Sequence, residues 1–474
     1  MSDIELCYLN ATEALRRFKR LELSPVELMQ AVIDRAEAVE PTINAFTDTY
    51  FERALERARA AEVKYAKGVR TRPLEGIPVV IKDEHAIKGE RTTSGSLIFK
   101  DNVEDETSAC VERIIRAGAI IHARSAAPEF SCAAITHSKL WGVTRNPWNP
   151  KYTPGGSSGG SAAALTAGTT TLANGSDIGG SIRIPASCCG VVGFKPPYGR
   201  VPVDPPFNLD AYCHEGPLAR NVMDAALLEN VIAGPHSQDI TTLRPKLRIP
   251  DRLEDIKGWK IAYSIDLGYV EVDDEVVANT EAMVGVLRQL GAEVEQVDLG
   301  WTWSTLTAAW NHLAHLFGNY IAKELERHRY EMTDYARAFA EFGRTTTADD
   351  FLAAKEVEGE MYASLGPVLE RYHALICPTL ALPAVAADHD STCQKVVING
   401  VSVEPALGWC MTYPFNMMSR CPVMSVPSGH ASNGVPTGLQ IVGRTYDDVG
   451  VFRIAAALER ARPGYELAAN RPKL

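Results

Sequence analysis

A serine hydroxyl becomes a working nucleophile only where a base can take its proton and N–H groups can meet the oxyanion it creates. Residues 155–193 offer such a setting, with ten of the chain's 36 glycines in 39 positions and serines set among them. The stretch opens Pro154-Gly155-Gly156-Ser157-Ser158-Gly159-Gly160-Ser161. It continues through Gly175-Ser176-Asp177-Ile178-Gly179-Gly180-Ser181-Ile182-Arg183 and closes at Cys189-Gly190-Val191-Val192-Gly193. Glycines by themselves mark turns and close packing. Two glycine–serine clusters joined by the small-residue helix Ser161–Gly168 also let several backbone N–H groups converge on one atom. A nucleotide site would need GxxxxGK[ST] or GxGxxG, and neither occurs in this stretch.

No histidine lies within 155–193, so a Ser-His-Asp arrangement has no local candidate, while spacing leaves a distant one open. A lysine can serve instead if burial keeps it neutral. Lys82, following the apolar run Ile77-Pro78-Val79-Val80-Ile81, is placed for that role. The structural alternative is a strand-end lysine paired with Asp83 or Asp177. His312 and His315 share a helical face but have no third ligand at metal spacing, so neither metal nor cofactor is expected.

These residues need a scaffold, and the chain alternates strands and helices. Ser24-Pro25-Val26-Glu27 is a capping box that starts a helix, which Pro41 is expected to end. A second helix is expected over Phe51–Lys67, a third over Thr107–Ala117, then a strand over Ala119–Ala123. The alternation recurs at Asp224–Ile232, Lys260–Ser264, Val276–Leu290 and Glu293–Val297. Ala374–Pro378 and Pro422–Val426 read as core strands, and Asn399-Gly400 as the turn of a small hairpin. The expectation is one large α/β/α domain, its mixed, mainly parallel sheet covered by helices. N-terminal helices would span 1–70, the catalytic core 71–240 and a mostly helical insertion about 306–370.

Composition narrows the partners. With 48 Lys plus Arg against 59 Asp plus Glu, the net charge is −11, which disfavours nucleic acid and anionic membranes. No apolar run is long enough to span a bilayer. Met1–Asn10 carries Asp3 and Glu5 and does not resemble an export signal. Ten scattered cysteines, including adjacent Cys188 and Cys189, then read as reduced buried thiols of a cytoplasmic protein.

The run from Gly155 to Lys195 resembles the amidase signature, and Gly76-Ile77-Pro78-Val79-Val80-Ile81-Lys82-Asp83 resembles that family's lysine-bearing strand. Trp141–Trp148, Pro422–Pro427 and Gly438–Gly443 also fit, so the similarity covers about Ser24 to Arg460. The resemblance implies an amidohydrolase in which Ser181 is acylated, Ser157 lies in a cis peptide and relays protons, and Lys82 is the general base. It implies an oxyanion hole from the backbone N–H groups of Ile178, Gly179, Gly180 and Ser181. Ser158 and Ser176 would orient the relay, and Asp177 and Arg183 would brace the loop as an ion pair. By the same resemblance Ser131 and Cys132 approach the scissile group, and a homodimer is implied on no other ground.

Specificity is less marked. Trp310, His312 and Trp409 either wall an acyl pocket or belong to the core; the former suggests an aryl or otherwise apolar acyl amide, or a hydrazide. The family also includes the glutaminase component of a tRNA-dependent amidotransferase, which carries a carboxylate just before its late Pro-x-Asn segment. Gly408–Asn416 has none here. A catalytically silent binding protein on the same scaffold is the remaining rival.

Overall fold

The computed structural model describes residues 3–465 and 467–474. Eleven strands form one sheet in the order Phe46–Thr49, Ile120–Ser125, Pro78–Lys82, Leu172–Asp177, His214–Ala219, Val192–Lys195, Val423–His430, Pro436–Gly443, Ala374–Pro378, Lys260–Tyr263, Glu293–Gln296. The sheet is mixed, as the alternation suggested. Parallel pairing holds within two flanking blocks, Pro78–Lys82 with both its neighbours and Lys260–Tyr263 with both of its own. The joins in the centre are antiparallel. One reason is the short return from His430 to Pro436, which suits an antiparallel pair but is too short for a parallel crossover.

From Val423–His430 to Lys260–Tyr263 in the sheet order, strand residues alternate between two apolar clusters, the signature of a sheet buried on both faces. Ala374, Ile376, Met424 and Ile441 belong to one; Leu375, Cys377, Val423 and Val442 belong to the other. Each fully buried aliphatic side chain contributes about 1.5–3 kcal/mol. Pro25–Ile43, Gly159–Ala167, Val222–Ile232 and Asp448–Ala461 supply helical residues to the first cluster. Ser304–Leu313, Asp334–Thr345 and Ala348–Arg371 supply the second.

Local signals act largely as expected. Ser24 caps its helix, with the Glu27 carboxylate accepting from the Ser24 N–H at 2.8 Å. Pro41 does not stop that helix, which continues to Ile43 and ends where Asn44 turns left-handed at φ 50°. A proline in the last turn forfeits one backbone hydrogen bond, a cost the buried Val39 and Ile43 offset. The Asn399-Gly400 turn joins Val396–Ile398 to Val401–Val403, both central residues having positive φ. Among the described residues no helix is long and apolar enough to cross a membrane.

Candidate active site

Pro78–Lys82 is buried along its whole length and delivers Lys82 to the interior with no exposed surface. Its neighbour Leu172–Asp177 runs parallel, and Asn174 Oδ1 accepts from the Lys82 N–H at 3.0 Å, locking the register at the strand end. Lys82 Nζ donates to Ser157 Oγ at 2.7 Å and to Ser176 Oγ at 2.8 Å. Its carboxylate neighbour is neither Asp83 nor Asp177, the alternatives considered from sequence, but Glu84 Oε2 at 3.2 Å. Asp83 instead accepts from the Thr93 N–H at 3.0 Å. Burial pushes the Lys82 amine below its usual range, against the opposing pull of Glu84, Glu215 and Asp177.

Ser157 follows a cis peptide from Gly156. Beyond it the small-residue helix, Gly159–Ala167, is buried at every position. Ser161 Oγ pairs with Ser125 Oγ at 2.7 Å and donates to the Asn174 carbonyl at 2.9 Å, so the helix is stitched to two strands. The two serine loops touch directly, since the Ser158 N–H donates to the Ser181 carbonyl at 3.1 Å. Ser158 Oγ donates to the Ser176 carbonyl at 3.4 Å.

Ser181 follows the turn after Asp177, and that turn is built around a buried ion pair. Arg183 Nε and Nη2 each lie 2.9 Å from the Asp177 carboxylate, with both side chains fully buried. Burial alone would raise the Asp177 pKa, but Arg183 overrides it and holds the carboxyl well below the usual range. Arg183 is further satisfied by the Thr412 carbonyl at 2.9 Å, Gln440 Oε1 at 2.8 Å and Asn416 Oδ1 at 2.6 Å.

Sequence reasoning assigned Gly180 an oxyanion-hole N–H, and the structure corrects this. That N–H donates to Asp177 Oδ1 at 2.8 Å and is spent. Gly180 serves the site by its shape: at φ 129° its would-be Cβ lies 2.0 Å from Thr412 Oγ1. Among the described residues the N–H groups of Ile178, Gly179 and Ser181 have no acceptor. Gly179 differs from its neighbour, since a Cβ there would meet only Leu313 Cδ1 at 3.9 Å.

Ser181 and Gly179 line a cavity of about 610 Å³. Ser131, Cys132, Trp310 and Trp409 line it as well, joined by Phe317, Phe339 and Phe342. His312 does not. Trp310 and His312 stand roughly 200° apart around the helix Ser304–Leu313. His312 turns inward, stacks on Tyr212 at 3.6 Å between ring centroids and pairs with Asp210 at 2.8 Å.

A second cavity of about 270 Å³ adjoins the relay, lined by Ser157, Ser176, Glu84, His85, Asp204 and Glu215 among others. Of its acidic residues Glu84, Asp177, Asp204 and Glu215, only Asp177 stood out in the sequence. Glu215 sits on His214–Ala219 opposite Ser176, a register invisible before the fold. His85, Cys110 and Glu215 bring three metal-type ligand atoms within 4.8 Å, a grouping that sequence spacing missed. His85 Nε2 and Glu215 Oε2 are hydrogen-bonded to each other there, and burial pushes the Cys110 thiol far up, away from the thiolate a metal needs.

A buried lysine bonded to two serine hydroxyls, beside unused N–H groups at a third serine, is an apparatus for acyl transfer. Comparison with known proteins agrees. The Amidase family model matches residues 27–452, and the chain belongs to the amidase signature family of amide-hydrolysing enzymes. It is 33% identical to an acylamidase of Rhodococcus erythropolis, covering 98% of this chain and 97% of that one. It is equally 33% identical to a glutamyl-tRNA(Gln) amidotransferase subunit of Carboxydothermus hydrogenoformans, over 99% of this chain and all of that one. The crystal structure of a bacterial aryl acylamidase of the same family superposes with a TM-score of 0.89 at 30% identity, covering 96% of both chains.

Proposed function

We propose that the protein hydrolyses amides of aryl or otherwise apolar acyl groups, or the corresponding hydrazides, through an acyl-enzyme on Ser181. The contact that carries this reading is Lys82 Nζ to Ser157 Oγ at 2.7 Å, with Ser157 beside the loop that presents Ser181. Neutral Lys82 accepts the Ser157 proton as Ser157 accepts that of Ser181, and Ser181 Oγ bonds to the carbonyl carbon. The N–H groups of Ile178, Gly179 and Ser181 receive the oxyanion. As the tetrahedral species collapses, the proton returns from Lys82 through Ser157 to the leaving nitrogen and the C–N bond breaks. Water then repeats the cycle on the ester, releasing the acid and regenerating Ser181.

The choice of acyl group rests on the aromatic lining of the larger cavity, including Trp310, Phe339 and Phe342. Such walls bind flat apolar groups and offer little to a zwitterion. The glutaminase reading is favoured by the amidotransferase relatives. Against it stands the state of Glu404, a late carboxylate on this wall, whose Oε2 already accepts from the Leu407 and Gly408 N–H groups at 2.6 and 2.9 Å. The test is a panel of anilides, aliphatic amides and glutamine, assayed with wild type and Ser181→Ala. The expected result is fastest turnover of aryl acyl amides and none by Ser181→Ala. Preference for glutamine would replace this reading with the amidotransferase one.

A further inference from the structure

The two cavities meet at Ser131, Ile178 and Phe317, which line both, but they divide the catalytic serines between them. Ser181 faces the large apolar cavity and Ser157 the smaller one. A proton relay must lie within hydrogen-bond reach of the atom it protonates. The leaving nitrogen therefore stands on the Ser157 side, and whatever that nitrogen carries extends into the smaller cavity.

That cavity has a distinct chemistry. Glu84, Asp204 and Glu215 line it, as does Asp177, which Arg183 matches from behind, and among the described residues no lysine or arginine lines it. Glu215 is matched by His85. Burial and neighbouring Lys195 drive the His214 pKa down to about 3, so this histidine brings no positive charge at neutral pH. Glu84 has Lys82 as its partner, yet Lys82 must be neutral to act as base. In the reacting state the cavity thus holds more negative charge than its own residues offset. Aromatic groups complete the wall: Phe207 packs edge-on against Phe317 and Tyr320 at 5.3 and 5.0 Å between centroids. Ser131, only 7% exposed, adds a buried hydroxyl at the junction of the two cavities. Carboxylates beside aromatic faces recognise an ammonium group through ion pairing and cation–π attraction.

We propose that the cavity of Glu84, Asp204 and Glu215 is the leaving-group subsite and selects amides of amines that carry a second, cationic amino group. Its volume of about 270 Å³ suits a short aminoalkyl chain. The inference rests on Ser181 as nucleophile and Ser157 as proton carrier. It is tested with one aryl acid amidated as the N-(2-aminoethyl) and the uncharged N-propyl amide, comparing kcat/KM in wild type, Asp204→Asn and Glu84→Gln. The expected result is a wild-type preference of about tenfold for the cationic amide, falling toward parity in Asp204→Asn and in Glu84→Gln. Equal or faster turnover of the N-propyl amide by wild type overturns the subsite while leaving the hydrolase reading intact. So does a preference that survives in both variants. Failure to hydrolyse either amide, or any anilide, overturns the hydrolase reading and this inference together.

Discussion

Lys82 and Lys195 are both fully buried, and burial alone does not distinguish them. Their neighbours do. Lys195 Nζ donates to the Pro196 and Cys421 carbonyls and lies 3.4 Å from His214 Nε2, with no serine hydroxyl among these partners, whereas Lys82 Nζ meets two serine hydroxyls. Burial depresses the Lys82 pKa, so the neutral base is present above that lowered value and lost as pH falls through it. The kcat/KM profile is accordingly expected to rise from acid toward neutral and alkaline pH. A profile flat between about pH 5 and 9 would remove Lys82 from the mechanism. Lys82→Arg, permanently charged, is expected to lose about a thousandfold or more in kcat. The glycine–serine clusters singled out Lys82, Ser157 and Ser181 in the sequence, and the fold sets Lys82 Nζ against Ser157 Oγ. Glu84 was not, because an acidic residue after a strand is ordinarily a solvated one, and only folding brings its carboxylate to Lys82.

At the scale of elements, the helix Ser304–Leu313 shows how one turn separates two roles. Trp310 faces the apolar cavity, while His312 closes a buried contact with Asp210 and Tyr212. Trp310→Ala is expected to raise KM for aryl amides roughly tenfold, the loss of about 1.4 kcal/mol of contact. His312→Ala is expected instead to cost about 1–3 kcal/mol in a denaturant titration, because it strips a buried carboxylate of its partner. A KM effect for His312→Ala equal to that of Trp310→Ala would contradict the division. Helices with clear periodicity and β-branched strands such as Pro78–Lys82 were legible. Leu172–Asp177 and Val192–Lys195 were not: Asn-Gly-Ser-Asp has little strand propensity, Val-Gly-Phe-Lys is a four-residue run interrupted by glycine, and central pairing on both edges makes them strands.

For the molecule as a whole, the single sheet couples the two apolar clusters through alternate residues of the same strands. Neither cluster can lose its packing without exposing the reverse face of strands that serve the other. Calorimetry is therefore expected to show one heat-absorption peak, with anilide hydrolysis lost in the same interval. Two resolved peaks would mean that the helices around residues 306–370 unfold as a separate unit. The expected mixed sheet was legible because strand–helix alternation is a long-range pattern. Its antiparallel centre was not, since direction depends on how connections return, which composition does not record.

The contrast between Gly179 and Gly180 bears on how such an enzyme can change its diet. At Gly180 the Thr412 side chain forbids any enlargement, so that residue is frozen by its surroundings. At Gly179 a methyl group would find ordinary contact with Leu313 and project into the cavity that Ser181 lines. Of the two glycines in the loop that presents Ser181, Gly179 is thus the one open to enlargement. An alanine there would trim the room beside the reacting carbonyl, favouring slender acyl groups over branched ones while leaving the ion pair beneath untouched.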